Sequence, residues 1–568
     1  MKPLLFGQGA NDRPVEISAK EREAHMHVIG ASGSGKSKFL EHLIRQDLKC
    51  GQGFCVIDPH GSLYKDVLDY ASFKVAQQNI ILLDLSRPDF VIGFNPFRKA
   101  NDGDVSVQVD RRIRAIMHAW GVDNADQTPT LERTLRLIFT TLLELNLSFQ
   151  EAQYLVDFNA GELRGKLIQK LTSPLIRKEW KELAQLRPKD WRAEVLSAKN
   201  RLYRLLTSKT LGRFFAAEAN PIDLAEIIES GKILLINLAP SDHLSSANAK
   251  IFGSLLVNEF FEVALRRNAN DPKLKPYYLY LDEFQKFVGL DIADMLNEVR
   301  KFKLFTVLAH QRFGQVDENV QDAVLTNCKI KAVFGGLSAE VARMMALELF
   351  IGKLDPMQIK AEVYQTKFRP VYTRDKVYSR STSSGRSVGT GVNESWGSAS
   401  ASMAGVFYTP EGWLSAMPEN ISRSESSSSS SGSQSGRHSN ETDFEGVAES
   451  EADVPMMRAE EFQEISSVQY MSLEEQLVLF TAALKEQPDR NCVVKIRSRP
   501  PERLCVPFLK THFTTQKSLG WYRARLLGNG GAVPAEVVDA ANDKEHERWS
   551  AAIAKDAPSP PADFWGRE

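Results

Sequence analysis

Short, unbroken apolar runs separated by amphipathic stretches set the plan of this chain. Phe54-Cys55-Val56-Ile57, Ile80 to Leu85, Ile233 to Leu238, Tyr277 to Leu281, Leu304 to Ala309 and Lys329 to Phe334 are runs of this kind, as is the short segment before Gly30. Apolar on both faces, they predict strands buried within a parallel sheet. Phe39, Leu40, Leu43 and Ile44 share one face of a helix that ends near Gly51, and a second helix is expected from Ala249 to Arg266. Strands alternating with helices predict an α/β fold with both faces of the sheet covered.

From about Asp104 to Ile222 the period changes to a helical one. Ile113 to Trp120, Leu131 to Leu145 and Ala193 to Leu206 carry it, and prolines fall only at the joints. An all-helical insert therefore interrupts the core. Ser379 to Glu451 is rich in serine and glycine, with an unbroken Ser426 to Ser431 run, and is too poor in apolar residues to pack. It reads as a disordered excursion holding one apolar island, Val406 to Met417, either a docking motif or a short helix on the core. Order returns with a helix from Leu473 to Lys485 and a hairpin across Pro500-Pro501, between Asn491–Ile496 and Cys505–Phe508; a charged helical tail follows from Gln516. The expected divisions are thus 1–103 for the first part of the core, 104–222 for the insert, 223–378 for the second part of the core, 379–451 for the Ser-rich insertion, 452–515 for the closing helix and hairpin, and 516–568 for the tail.

At 568 residues the chain exceeds one compact core. With 71 Lys+Arg against 72 Asp+Glu there is no global excess of basic charge, so any nucleic-acid contact must come from a local surface or a channel built by several subunits. The five cysteines show no C-x-x-C spacing and read as reduced thiols of a cytosolic protein. No stretch approaches about 18 uncharged apolar residues, so no transmembrane segment is expected. Within the insert, Arg187, Lys189, Arg192, Lys199, Arg201, Arg204, Lys209 and Arg213 stand among Trp180, Trp191, Tyr203, Phe214 and Phe215. Two readings fit them: a grip on a phosphate backbone, or a solvated face over an ordinary core stripe.

The chemistry is concentrated in two motifs. Gly30-Ala31-Ser32-Gly33-Ser34-Gly35-Lys36-Ser37 fits G-x-x-x-x-G-K-[ST], with a strand before it and a helix after it. In such a loop the glycines turn backbone N–H groups around a polyphosphate. Lys36 reaches the β- and γ-phosphates, and the Ser37 hydroxyl ligates Mg²⁺. The expected ligand is a Mg²⁺-nucleoside triphosphate. The second motif is the run Tyr277 to Leu281 ending in Asp282-Glu283. In P-loop ATPases an acid here holds the Mg²⁺ through its water shell and the next one orients and deprotonates the attacking water. Gln311, after the run Leu304 to His310, either reads the γ-phosphate or caps the following helix, and His310 reads as structural.

Taken in order, G-A-S-G-S-G-K-S, I-D-P-H-G, G-K-I-L-L-I-N-L, L-Y-L-D-E-F and V-R-K-F-K-L-F-T-V-L-A-H-Q resemble the conjugative type IV coupling proteins of TraD/TraG type and their relatives among the HerA/FtsK-type P-loop DNA pumps. The resemblance runs to about Lys367 and includes the closing hairpin. It implies a RecA-like ATPase core, an all-α domain at one mouth of a homohexameric ring, ATP and Mg²⁺ as cofactors, and DNA driven through a central channel. Lys36 and Ser37 match the phosphate-loop pair, Asp282 the Mg²⁺ acid, Glu283 the water-activating acid and Gln311 the sensor. Arg300 falls where such proteins place an arginine that enters the neighbouring subunit's site; its alternative is a cation complementing a helix C-terminus. Coupling proteins usually begin with transmembrane helices, whereas here the phosphate loop begins at Gly30. The expectation is a cytoplasmic protein whose only route to the inner membrane is through secretion-channel or relaxosome partners, and three roles stay open: a soluble coupling protein docked on a secretion channel, a cytosolic DNA pump, and a mobile-element or defence ATPase. A different class of function is a cytosolic assembly or substrate-receptor ATPase that recruits protein partners; a HerA-like defence or DNA-processing ATPase is a third.

Overall fold

The computed structural model describes residues 3–74, 79–97, 104–122, 128–216, 222–388, 441–510 and 514–556. The chain forms two compact units, one from Met1–Gln358 with Met471–Glu568 and the other from Ile359–Tyr470. In the larger unit, β1 (Leu4–Gln8) and β2 (Pro14–Ile17) pair antiparallel, and β3 (Met26–Ile29), β4 (Phe54–Asp58) and β5 (Ile80–Asp84) follow. A short β6 (Phe90–Val91) precedes the helical region, after which come β7 (Ile233–Asn237), β8 (Tyr277–Leu281), β9 (Leu304–His310) and β10 (Ile330–Phe334). The smaller unit is built from β11 (Ile359–Val388) and β12 (Glu441–Tyr470). The larger unit resumes with β13 (Asn491–Ile496), β14 (Glu502–Cys505) and β15 (Val533–Pro534), the last pairing with β6.

One eleven-stranded sheet runs β2-β1-β14-β13-β10-β3-β9-β8-β4-β7-β5. From β10 to β5 every pairing is parallel, and from β13 to β2 every pairing is antiparallel. The apolar runs become its buried strands, with β4, β7, β8 and β10 buried along their whole length. Alternate residues point to opposite faces, so Cys55, Ile57, Leu234 and Leu279 enter one hydrophobic cluster while Phe54, Val56, Leu235 and Tyr280 enter the other. The expected parallel sheet with two covered faces forms from β10 to β5, and four antiparallel strands extend it beyond β10.

Between β6 and β7 the described chain is helical, with Val105–Ala119, Pro129–Glu144, Pro174–Ala184 and Pro188–Leu206 as the longer elements. Asp104 and Ser173 cap two of them, and Pro129, Pro174 and Pro188 each occupy a first turn, where a missing N–H costs nothing. Trp180 and Trp191 share one hydrophobic cluster with Leu234 and Leu279 of the sheet, so this region packs continuously with the core. The tail helices Gln516–Asn529 and Ala535–Asp556 fold back on it, burying Tyr522 and Leu526 and pairing Asp539 with Arg213. Among the described residues no helix is long and apolar enough to cross a membrane.

The boundaries expected at 378/379 and 451/452 fall inside β11 and β12, which pair antiparallel from Ile359↔Tyr470 to Val388↔Glu441. Residues 379–388 and 441–451 thus lie in strands. A serine- and charge-rich strand of a two-stranded ribbon has no buried face to announce it, which is why composition alone reads it as unstructured. The rest of the Ser-rich stretch, including Val406–Met417, lies outside the described residues.

Candidate nucleotide site

The phosphate loop leaves the carboxyl end of β3 and enters the helix Lys36–Cys50. Gly33 and Gly35 have φ of 81° and 109°, left-handed conformations that only glycine adopts without strain. A Cβ on Gly33 would meet nothing within 4 Å, and the loop leads into a helix N-terminus whose first N–H groups have no intrahelical acceptor. Lys36 is buried, and its Nζ donates to the carbonyls of Gly30 at 2.7 Å and Ala31 at 2.8 Å. Burial pushes its ammonium below the usual lysine range, while Glu283 and Asp282 pull it back up. Ser34 Oγ donates to the Ala31 carbonyl and so braces the loop, and Ser37 is half-buried on the first helical turn.

Asp282 and Glu283 stand at the carboxyl end of β8, one strand removed from β3, with β9 between them. Both are buried, and Glu283 has φ of 48°. That kink turns successive acids into the same crevice. Gln311 follows β9 directly, and its amide donates to Glu283 Oε1, while Gln285 donates to Glu283 Oε2 at 2.6 Å. The structure therefore brings Lys36, Asp282, Glu283 and Gln311 to one edge of three adjacent strands, and ties Gln311 to the acid instead of to a following helix. Asp58, at the end of β4, is the acid that motif reading passed over. It accepts from the N–H groups of His60 at 2.8 Å and Tyr64 at 2.9 Å, which hold its carboxyl group in place beside Asp282. Burial first, then Asp58 and Glu283, push the Asp282 carboxyl up to about 7, with Lys36 acting the other way. The site is an excess of carboxylate oxygen around one ammonium, and with the Ser37 hydroxyl it supplies the hard donors that Mg²⁺ takes. Its signal in the sequence was present in I-D-P-H-G, an apolar strand ending in an acid.

A second wall comes from far along the chain. The Arg490 N–H donates to the Ser34 carbonyl at 2.9 Å, Gly336 N–H donates to the Lys485 carbonyl, and Gln487 Nε2 donates to the Val333 carbonyl. Arg490 lies close enough to Gly35 that a Cβ there would come within 3.1 Å of its Cα. Local sequence carries no signal for this contact, because it exists only once β13 pairs with β10. Beneath the loop, His27 Nε2 and His310 Nε2 lie 2.7 Å apart in stacked rings, fully buried between Phe284 and Phe313. Burial drives the His310 imidazole down to about 3 and holds His27 well below its ordinary value, so the pair is neutral, one ring donating and the other accepting. The expected structural role of His310 fits this packing.

Arg300 is not part of this group. It is exposed at the C-cap of the helix Leu290–Val299, just before β9, and Tyr277 aligns with Leu304. It therefore lies at the opposite end of the sheet from Asp282, about 17 Å away at ~3.3 Å per strand residue. Within one chain it occupies a helix C-terminus and cannot reach its own phosphate loop. Of the aromatic residues in the basic stretch, Trp180, Trp191, Phe214 and Phe215 are core, and only Tyr203 is exposed. Arg213 is committed to Asp539 and Arg187 to Asp190, while Lys199 lies over the Tyr203 ring and Arg201 over Trp120.

The sequence matches the central domain of the helicase HerA over residues 6–260 and the TraM recognition site of TraD and TraG over residues 276–391. No curated protein matches it. Among solved structures, an unbound form of the bacterial conjugative coupling protein TrwB has a TM-score of 0.50 at 15% identity, covering 90% of this chain and 90% of that one. A form of TrwB in complex with sulphate has a TM-score of 0.50 at 15% identity, covering 91% and 95%. At that identity the likeness establishes the fold. The chain thus joins a match to the HerA central domain with a match to the TraM recognition site of TraD and TraG, on a sheet that sets Asp282 and Glu283 beside Lys36.

Proposed function

We infer that this protein is an ATP-hydrolysing motor that moves DNA, or a nucleoprotein substrate, during conjugative or mobile-element transfer, and that it works as a homohexameric ring. The observation that carries the reading is the convergence of Lys36, Asp282, Glu283 and Gln311 at one sheet edge. ATP occupies the open side of the loop over Gly33, with its phosphates against the helix N-terminus. Mg²⁺, when bound, neutralises charge between the phosphates, and Ser37 and Asp282 are the residues that would hold it. Lys36 gives up its carbonyl partners for the β- and γ-phosphates. Glu283 is oriented by the Gln285 and Gln311 amides, which leaves it positioned to take a proton from the attacking water, while Gln311 links that acid to the γ-phosphate.

In this reading Arg300 acts on a neighbouring subunit's nucleotide; its exposure and its distance from its own phosphate loop support that role. A guanidinium supplied in trans couples hydrolysis to assembly. The match to the TraM recognition site supports a relaxosome protein as partner. The test is ATP hydrolysis by the purified protein with and without duplex and single-stranded DNA, over a range of protein concentrations. The reading expects stimulation by DNA and a steep dependence on protein concentration. A rate indifferent to both refutes the motor and leaves a substrate-receptor ATPase.

A further inference from the structure

The smaller unit has an electrical asymmetry that the nucleotide site does not use. β11 and β12 form a two-stranded ribbon of 30 residues each, about 100 Å long at ~3.3 Å per residue. Among the described residues no third strand joins it, so each strand turns half of its backbone N–H and C=O groups outward along an open edge. Ribbons of two strands are marginal in water unless something covers them. One face carries exposed aromatic side chains: Tyr364, Phe368 and Tyr372 of β11 recur along it at every fourth position, opposite Ile465, Glu461 and Met457 of β12.

Charge is divided between the two strands. β11 carries seven basic and two acidic residues; β12 carries nine acidic and one basic. The division holds on both faces, through Lys367–Glu464 and Arg369–Glu460 on one and Lys376–Glu451 on the other. One open edge is therefore basic and the other acidic. Such a ribbon repels a copy laid against it like edge to like edge, and attracts one laid basic edge to acidic edge. If all ribbons point the same way, the β12 edge of one copy runs antiparallel to the β11 edge of the next, so the pairing continues the existing ladder. A head-to-tail contact of this kind closes into a ring.

We propose that the ribbon is an assembly element whose occupant is a second copy of this chain, the β11 edge of one subunit pairing with the β12 edge of its neighbour. The proposal rests on the ring reading given above. Each β11 cation then stands between the acids of its own β12 and those of the neighbouring one, and the aromatic face continues from copy to copy.

The test uses the unmodified full-length protein. Equal amounts of ¹⁵N-labelled and unlabelled chain are mixed while dissociated, concentrated with ATP and DNA, and treated with a carbodiimide, which joins lysine to carboxylate only where the two touch. The within-chain pairs Lys367–Glu464 and Lys376–Glu451 show that the reagent reaches the ribbon, since both partners then carry the same isotope. Links between β11 and β12 peptides in which one is heavy and the other light, approaching about half of all between-chain links for random neighbours, support the proposal. An oligomer whose β11–β12 links all carry a single isotope overturns it and leaves the ring intact. A protein that stays monomeric at every concentration overturns the ring reading, and this proposal with it.

Discussion

The ion pair joining the phosphate-loop helix to the Asp-Glu strand gives a prediction whose size follows from its surroundings. Arg22 NH1 and NH2 each donate at 2.5 Å to an oxygen of Asp47, which lies on the helix Lys36–Cys50. Tyr280 of β8 donates its hydroxyl to Asp47 Oδ2 at 2.6 Å, and the Arg22 guanidinium lies 3.7 Å over the Tyr278 ring. All four residues are buried. Burial works against the Arg22 charge, but Asp47, with Tyr280 and Tyr278 acting the same way, more than offsets it and holds the guanidinium charged. Asp47→Ala strands that cation in the interior, and Arg22→Ala strands the carboxylate; each single change is expected to cost about 3–5 kcal/mol. The pair Arg22→Met with Asp47→Leu removes both charges at similar volume and is expected to cost no more than about 2 kcal/mol, most of it from the Tyr280 hydroxyl left without its acceptor. Non-additivity should therefore reach roughly 4 kcal/mol or more. Urea unfolding of the four proteins, read at the midpoint with slopes compared, measures it. Single-variant losses below about 1 kcal/mol, or a double-variant loss equal to the sum of the singles, would refute the claim that the network is dry and that its charges depend on one another.

Glu283→Gln should leave nucleotide binding intact and lower the hydrolysis rate by about 10²–10⁴-fold, as followed by phosphate release and nucleotide titration. Gly336→Ala lies outside both motifs, yet its Cβ would stand 2.6 Å from that of Ala31 at φ of 76°; the strain should weaken nucleotide binding by about tenfold on equilibrium titration. Burial drives His25 down to about 4 and His310 to about 3, so the unfolded chain binds protons there before the folded one does. This contribution lowers stability as pH falls from about 6.5 toward 4. In ¹⁵N-histidine spectra at pH 5, His25, His27 and His310 should remain neutral; imidazolium signals from these buried three would disprove it.

Local sequence was enough to locate the nucleotide chemistry, because a phosphate loop and a strand ending in acids are built from neighbouring residues whose backbone needs are local. Gly33, Gly35, Lys36, Asp282 and Glu283 could all be named before any fold was in hand. The buried parallel strands were legible for a related reason: strands covered on both faces must be apolar throughout. The ribbon was not, since β11 and β12 bury no common face and residues 379–388 and 441–451 have the composition of an unfolded segment.

Strand order was decided only by the tertiary structure, and with it everything that depends on adjacency. Inserting β9 between β3 and β8 carries Gln311 to Glu283 and His310 to His27, and leaves Arg300 at the far end of the sheet. Placing β4 beside β8 sets Asp58 against Asp282, and pairing β13 with β10 sets Arg490 on the phosphate loop. A run of apolar residues states that a strand is buried, but its hydrogen bonds would be satisfied beside any other such strand. Which neighbour it takes is settled by how the helices and the closing hairpin pack around the whole sheet.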